Sequence, residues 1–291
     1  MKTRILTAIV AIMVLIPVLI WSDTVLFPIM CGLFALISLF EITGGIGVRK
    51  ELPLSITSFV YGIGISVIVG IYFMMAKSSP ASIFSMGKMV ALIFAVTFAY
   101  IFLICAFTML SLGKIKFAKA AELLIWTFYI FFGFMSITLL RRQGEFGGYL
   151  YGLIFIGAWM TDTGAYFIGV LFGKHKLIPE VSPKKTVEGA FGGILGCILG
   201  FVVYAFIIQQ IADLKVNYIA LILLAVVIAI VSQFGDLIAS YVKRESAIKD
   251  FGFIFPGHGG VLDRFDSIIA VAPAIYFITY LTSDFCLIFS R

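Results

Sequence analysis

Charged and metal-binding side chains are scarce in this sequence of 291 residues. Charged residues make up only 12% of it, and the chain contains two histidines and four cysteines. Two histidines are too few for a histidine-based metal site, and the cysteines stand singly in separate apolar runs without the spacing of a metal site. No serine- or proline-rich tract marks a linker between domains. We therefore assign the cysteines no chemistry and expect no flexible linker.

Apolar residues dominate what is present. Hydrophobic residues make up 62% of the chain and the mean hydropathy is +1.14, which is more apolar surface than a soluble domain could bury. The predicted fold class is all-α, a polytopic integral membrane helix bundle with about nine transmembrane helices. Apolar runs of bilayer length lie near residues 5–21, 25–42, 54–76, 88–110, 119–140, 148–171, 190–211, 217–242 and 261–282.

The basic residues predict the orientation of these helices. If the N-terminus is cytoplasmic, 15 of the 21 lysines and arginines fall in inner segments and six in outer ones. We therefore expect a multi-pass protein of the cell inner membrane with its N-terminus inside and its active site facing the cytoplasm. The net charge of +6 then reflects a basic inner face, which suits anionic lipids and nucleotides and gives no reason to expect a nucleic-acid partner.

The charges that do occur concentrate in residues 240–267, between two apolar runs. Residues 256–260, Pro-Gly-His-Gly-Gly, cannot continue a helix and predict a tight loop. Exposed amides in this loop, and the start of a helix predicted near Val261, are typical of a phosphate site. Asp263 and Asp266 are three residues apart and share one face of that helix, which suits a hard cation such as Mg²⁺.

Carboxylates also interrupt two apolar runs, at Asp162 and Asp236. A charged residue in a membrane helix costs at least ~2.5 kcal/mol, so Asp162 is either functional or a structural hydrogen-bond partner. Glu41 lies near the end of a span, where we expect it to reach the membrane interface. The lysines of the loop 173–189 either contact phosphates or only reflect the positive-inside rule.

Small residues recur every four positions in the sixth and seventh spans. They predict close helix packing and suggest a homodimer. The positions are Gly157, Thr161, Ala165 and Gly169, followed by Gly192, Gly196 and Gly200.

Two motifs resemble those of the phosphatidate cytidylyltransferase (CDP-diacylglycerol synthase) family. Residues 240–266 match Ser-x-apolar-Lys-Arg, Lys-Asp-x-Gly and Pro-Gly-His-Gly-Gly-apolar-x-Asp-Arg-apolar-Asp in register. Residues 182–189 match Ser-Pro-Lys-Lys-Thr-x-Glu-Gly. The likeness covers roughly residues 157–270. The chain departs from it at Val187, where many members carry tryptophan, and at Ala239, where many carry glutamate.

The resemblance implies transfer of CMP from CTP to phosphatidate, with CTP, phosphatidate and membrane lipid as partners. Mg²⁺ is the implied cofactor, with a second cation such as K⁺ as a further expectation. The implied metal ligands are Asp236, Asp263 and Asp266. The implied catalytic residues are Asp162, Lys249, Asp250, His258 and Arg264. The implied substrate-binding residues are Ser182, Lys184, Lys185, Thr186, Lys243, Arg244, Gly257, Gly259 and Gly260.

Residues 1–140 are predicted to form a transmembrane scaffold with lipid-access helices. Residues 141–291 are predicted to form the catalytic region, with cytoplasmic loops 173–189 and 243–260. Two alternatives belong to other classes: a membrane lipid kinase that uses CTP, such as a polyprenol or phytol kinase, and an ion-coupled secondary transporter with Asp162 and Asp236 as ion sites. The absence of an internal repeat and the clustering of charged loops on one face argue against the transporter.

Overall fold

A computed structural model describes residues 13, 16–78, 86–257, 259–283 and 288–291. The chain forms two compact units, each discontinuous in sequence. Unit 1 comprises Met1–Leu139 and Ser246–Arg264, and unit 2 comprises Leu140–Glu245 and Phe265–Arg291. The charged segment 246–264 thus belongs with the N-terminal helices. The functional division into scaffold and catalytic region stays a prediction.

Unit 1 is built from long apolar helices. They are α1 (Leu26–Gly45), α2 (Leu52–Ser78), α3 (Met86–Leu110) and α4 (Phe117–Arg141). A buried polar network joins three of them: the hydroxyl of Tyr100 on α3 lies 2.9 Å from that of Ser58 on α2 and donates to that of Thr127 on α4 at 3.1 Å. Because these hydroxyls satisfy one another, polar side chains are tolerated in an apolar interior.

Unit 2 contains the remaining helices and four short strands. In chain order these are α5 (Gly147–Leu150), α6 (Gly152–Phe172), β1 (Lys176–Ile178), β2 (Ser182–Thr186), α7 (Val187–Ala212), β3 (Lys215–Val216), α8 (Tyr218–Glu245), α9 (Leu262–Leu281) and β4 (Phe289–Ser290). The first three residues of α9 belong to unit 1 and the rest to unit 2.

The predicted fold class is confirmed. Within the described ranges, eight helical segments are long and apolar enough to cross a membrane, and each corresponds to one predicted run with ends shifted by only a few residues. The first predicted run, 5–21, lies mostly outside the described residues. The part of this run at 16–20 is described and is helical. The protein is therefore a multi-pass membrane protein.

Glycines bring α6 and α7 into close contact, as their spacing predicts. A Cβ placed on Gly164 would lie 2.4 Å from the carbonyl oxygen of Gly192, and one on Gly196 would lie 2.5 Å from that of Met160. Only glycine permits this approach of two backbones. These glycines pack two helices of the same chain, so they give no support to a homodimer, which stays a prediction.

The lysine-containing loop 173–189 holds a β-hairpin that the sequence did not predict. Strands β1 and β2 pair antiparallel, with Lys176 opposite Thr186 and Ile178 opposite Ser182. A second antiparallel pair joins β3 to β4. These short ribbons lie between the long helices and leave the all-α class unchanged.

Candidate active site

A cavity of about 450 Å³ lies among the membrane-length helices of unit 2. Side chains from α6, the β1–β2 hairpin, α7 and α8 line it. The polar and charged ones are Asp162, Tyr166, Lys176, Lys184, Lys185, Thr186, Gln233 and Asp236. Five of the predicted site residues therefore meet in one cavity, although they come from positions up to 74 residues apart in the sequence (236 − 162).

An ion pair between Lys185 and Asp236 lines this cavity. The Nζ of Lys185 lies 2.6 Å from Oδ2 of Asp236, with side-chain exposures of 25% and 30%. Oδ1 of Asp236 accepts a hydrogen bond of 3.4 Å from the hydroxyl of Ser240. Because about a quarter to a third of each side chain remains exposed, water still screens the pair, and its contribution to stability is modest. The ion pair fixes both side chains beside the cavity.

Two further aspartates of unit 2, Asp162 and Asp266, accompany Asp236. Asp162 on α6 is exposed and lines the same cavity as Asp236. Asp266 on α9 is half-buried and interacts electrostatically with Asp236 and Asp162, and with the ammonium group of Lys243. The backbone N–H of Ser267 donates to Oδ1 of Asp266 at 2.8 Å. Two of the predicted carboxylates, Asp162 and Asp236, thus act on a third, Asp266, within a single unit.

Gly235 allows helices α8 and α9 to approach each other closely at the position next to Asp236. A Cβ on Gly235 would lie 2.6 Å from the Cβ of Ala270 and 3.0 Å from the carbonyl oxygen of Asp266. Helix α8 therefore contacts α9 at the residue next to Asp236. Any larger residue at this position would push the two helices apart.

The hairpin is held to α7 by residues of the Ser-Pro-Lys-Lys-Thr-x-Glu-Gly motif. Thr186 caps α7, because its hydroxyl accepts a hydrogen bond of 3.1 Å from the N–H of Gly189. Glu188 accepts from the backbone N–H groups of Lys174 and His175 at 3.0 and 3.2 Å, and lies 2.6 Å from Nδ1 of His175. The motif therefore fixes the strand that presents the two lysines.

The other predicted substrate-binding residues of unit 2 lie around the hairpin. Lys184 is exposed and has no charged or hydrogen-bonding partner in the part of the chain that the structure describes. The Nε of Arg244 donates to the carbonyl oxygen of Val181 at 3.5 Å, which links α8 to the hairpin turn. Ser182 begins β2 and is half-buried.

In unit 1, Asp263 closes the glycine loop. It is only 6% exposed, and its Oδ2 accepts hydrogen bonds from the N–H groups of Phe251 and Gly260 at 2.8 and 3.0 Å. Gly259 has a φ of 83°, and a Cβ there would lie 2.8 Å from Oδ2 of Asp263. Gly257 has a φ of 78°. The predicted tight loop is present, and Asp263 fixes it from the first turn of α9.

Glu41 binds the start of α9, a contact that the sequence did not reveal. It is 3% exposed, its Oε1 accepts from the N–H of Val261 at 2.9 Å, and its Oε2 accepts from the N–H of Leu262 at 2.8 Å. The expectation that Glu41 reaches the membrane interface is therefore wrong. The first amides of α9 bind this carboxylate, so the expectation that they face a phosphate is wrong as well.

The remaining predicted residues of unit 1 are placed as follows. Lys249 is exposed and Asp250 half-buried, and both line a cavity of about 750 Å³ together with Arg49. Arg264 is exposed on the first turn of α9. His258 lies outside the described residues.

The carboxylates of unit 2 fit a hard cation by their chemistry. Within the described ranges, no three His, Cys, Asp or Glu side chains come close enough to hold a metal by themselves. Asp162 and Asp236 nevertheless line one cavity. Mg²⁺ is commonly bound through one or two carboxylates together with substrate phosphates and water. Asp236, with Asp162 or Asp266, is the pair that fits this pattern.

Lysines and aspartates around one cavity, among helices of membrane length, are typical of a membrane enzyme that acts on phosphorylated substrates. The chain belongs to the cytidylyltransferase family, whose model matches residues 2–282. It is 36% identical over 275 residues to the phosphatidate cytidylyltransferase of Staphylococcus epidermidis. The matched region covers 94% of this chain and 97% of the relative. The enzymes of the same name from Staphylococcus haemolyticus and Staphylococcus aureus are 36% and 35% identical over the same shares.

Proposed function

We propose that this enzyme transfers CMP from CTP to phosphatidate and produces CDP-diacylglycerol and pyrophosphate for phospholipid synthesis. The similarity to phosphatidate cytidylyltransferases over 94% of the chain supports this assignment. The structural observation that carries it is the Lys185–Asp236 pair, which places cationic and carboxylate groups together in one cavity among helices of membrane length. Neither a lipid kinase nor a transporter is favoured.

Charge neutralisation is the main requirement of this reaction, because both substrates are anionic. A phosphate oxygen of phosphatidate forms a bond to the α-phosphorus of CTP, and the bond from that phosphorus to the oxygen bridging to the β-phosphate breaks. The leaving pyrophosphate carries the developing negative charge. Lys184 and Lys185 neutralise phosphate charge, and no general base is needed because the attacking phosphate is already ionised.

Mg²⁺ is the proposed cofactor, held by Asp236 with Asp162 or Asp266. When bound, it neutralises phosphate charge as a Lewis acid. Roles for Asp263 as a metal ligand, for Lys243, Arg244, Lys249 and Arg264 as phosphate contacts, and for a second cation such as K⁺ stay predictions.

Pyrophosphate release tests the proposed function. Purified protein in detergent should release pyrophosphate from CTP only when phosphatidate and Mg²⁺ are both present. A polyprenol in place of phosphatidate tests the kinase alternative, which would form CDP instead of pyrophosphate. Absence of release that depends on phosphatidate would remove the proposed function.

The hairpin and the segment 246–264 are proposed to face the cytoplasm, where CTP is available. In a cysteine-free background, Gln143→Cys and Lys215→Cys should react with a membrane-impermeant maleimide in intact cells, because both lie in segments predicted to be outside. Glu180→Cys and Ser246→Cys should react only after permeabilisation. The reverse pattern would place the lysines opposite the cytosolic CTP pool and contradict the orientation.

The two lysines of β2 are expected to differ in kinetic effect. Lys184→Ala should raise the KM for CTP about tenfold and leave kcat within about twofold, because it removes a charged contact to the bound phosphates. Lys185→Ala should lower kcat instead, since it leaves the half-buried Asp236 without its partner. Lys215→Ala, an exposed lysine on β3, is the matched control. An unchanged KM in Lys184→Ala would exclude it as a ground-state phosphate contact.

A further inference from the structure

Glu41 lies on α1, 220 residues from the segment that it binds. Each of its two oxygens accepts one backbone N–H from consecutive residues, Val261 at 2.9 Å and Leu262 at 2.8 Å. The first N–H groups of a helix have no partner within that helix, and a carboxylate both satisfies them and complements the helix dipole. Glu41 therefore caps α9 from a distant helix.

The segment also wraps closely around the Glu41 side chain. A Cβ on Gly252 or on Gly260 would lie 2.3 Å from Oε1 of Glu41, far inside contact distance. Both positions are buried. The glycine of the Lys-Asp-x-Gly motif and the last glycine of the Pro-Gly-His-Gly-Gly motif are therefore required by the same carboxylate.

Asp263 binds backbone amides of the same segment. Its Oδ2 joins the N–H of Phe251, which follows the Lys-Asp pair, to the N–H of Gly260, which ends the loop. Asp263 thus ties residue 251 to residue 260, and Glu41 binds the next two amides, those of Val261 and Leu262. Lys249 precedes this fixed segment and Arg264 follows it, and both side chains are exposed.

We infer that Glu41 is a positioning residue for the reaction, one that sets where Lys249 and Asp263 stand by holding segment 251–262. This inference rests on the proposed function, since it assigns no contact of Glu41 with either substrate. A displacement of about 1 Å in a catalytic group can cost on the order of 100-fold in rate. Loss of the Glu41 carboxylate should therefore lower kcat more than it changes the KM for CTP.

The test compares Glu41→Ala, Glu41→Gln and the wild type in pyrophosphate release, normalised to folded protein from size-exclusion chromatography. Glu41→Ala should lose about 10- to 100-fold in kcat, with KM for CTP within about twofold. Glu41→Gln should fall between, because an amide keeps one acceptor oxygen. Glu51→Gln, a half-buried glutamate of the same unit, should match the wild type.

A double-mutant cycle keeps the inference falsifiable even if Glu41→Ala folds poorly. Gly252→Ala alone should lower kcat, because its Cβ displaces the Glu41 carboxylate. In the Glu41→Ala or Glu41→Gln background the further loss should be smaller, since the same displacement has already occurred. Hydrogen exchange at Val261 and Leu262 should accelerate in all three single variants.

The outcomes separate this inference from the proposed function. A wild-type protein without pyrophosphate release would remove the function itself. An active wild type, with kcat per folded molecule in both Glu41 variants within about twofold of it, would overturn only the role of Glu41. Strictly additive losses in the cycle would also overturn it, because they would show that Gly252 and Glu41 act independently.

Discussion

Asp236→Asn should abolish most turnover while leaving the protein folded. We expect kcat for pyrophosphate release to fall at least about 100-fold, because on the proposed function the negative charge of Asp236 holds the cation, and it also pairs with the Lys185 ammonium. Asparagine has nearly the same shape, but it lacks the charge. The measurement is kcat and KM for CTP across a range of Mg²⁺ concentrations.

The fold should tolerate this change. The Lys185–Asp236 pair keeps 25% and 30% of its side chains exposed, so losing it should cost only about 1 kcal/mol after screening by water. Thermal unfolding in detergent should therefore change little. Partial recovery at high Mg²⁺ would indicate a weakened ligand, since mass action can compensate for lower affinity.

Asp213→Asn is the matched control for the loss of a carboxylate. Asp213 is exposed at the end of α7 and has a φ of 51°, a conformation that asparagine adopts readily. It should behave like the wild type. Full activity in Asp236→Asn would mean that the cation lies elsewhere, and Asp162 with Asp266 would become the pair to replace next.

The sequence predicted the helices well because their signal is local. Runs such as 88–110 and 190–211 are apolar and of bilayer length, and the structure extends them to Met86–Leu110 and Val187–Ala212. The β1–β2 hairpin was missed because its strands are only three and five residues long, and β2 carries a proline and two lysines without an alternating apolar pattern.

Side-chain partners over long separations could not be predicted. The sequence identified Lys184 and Lys185 as candidates by a family motif, and Asp236 by its charge in an apolar run. That the three side chains line one cavity could be seen only in the fold. Glu41 gave only the signal of a carboxylate near the end of a span. Its partners are backbone amides 220 and 221 residues away. Every residue except proline has a backbone N–H, so the sequence does not indicate which ones bind a side chain.

Substitution of Asp263 is the second change expected to have a large effect on kcat. Two variants can separate the role of its charge from its role as a hydrogen-bond acceptor for the loop. Its Oδ2 accepts from the N–H groups of Phe251 and Gly260, and the side chain is buried. Asp263→Asn retains one oxygen that can accept from both amides, loses the charge and replaces the other oxygen with an NH₂ donor. Asp263→Ala also removes the acceptor, which leaves two buried amides unsatisfied at a cost of about 1–3 kcal/mol each.

If the charge of Asp263 takes part in the reaction, both variants should lose kcat by about 100-fold or more, while only Asp263→Ala shows a clear drop in thermal stability. If Asp263 only shapes the loop, Asp263→Asn should keep most of the wild-type kcat and Asp263→Ala should lose both activity and stability. Measuring kcat and the unfolding temperature of the two variants together therefore decides the question. We expect the first result, because Asp263 carries a buried negative charge and precedes the exposed Arg264 in the chain. A neutral amide oxygen could accept the same two hydrogen bonds, so the shape of the loop alone does not require this charge.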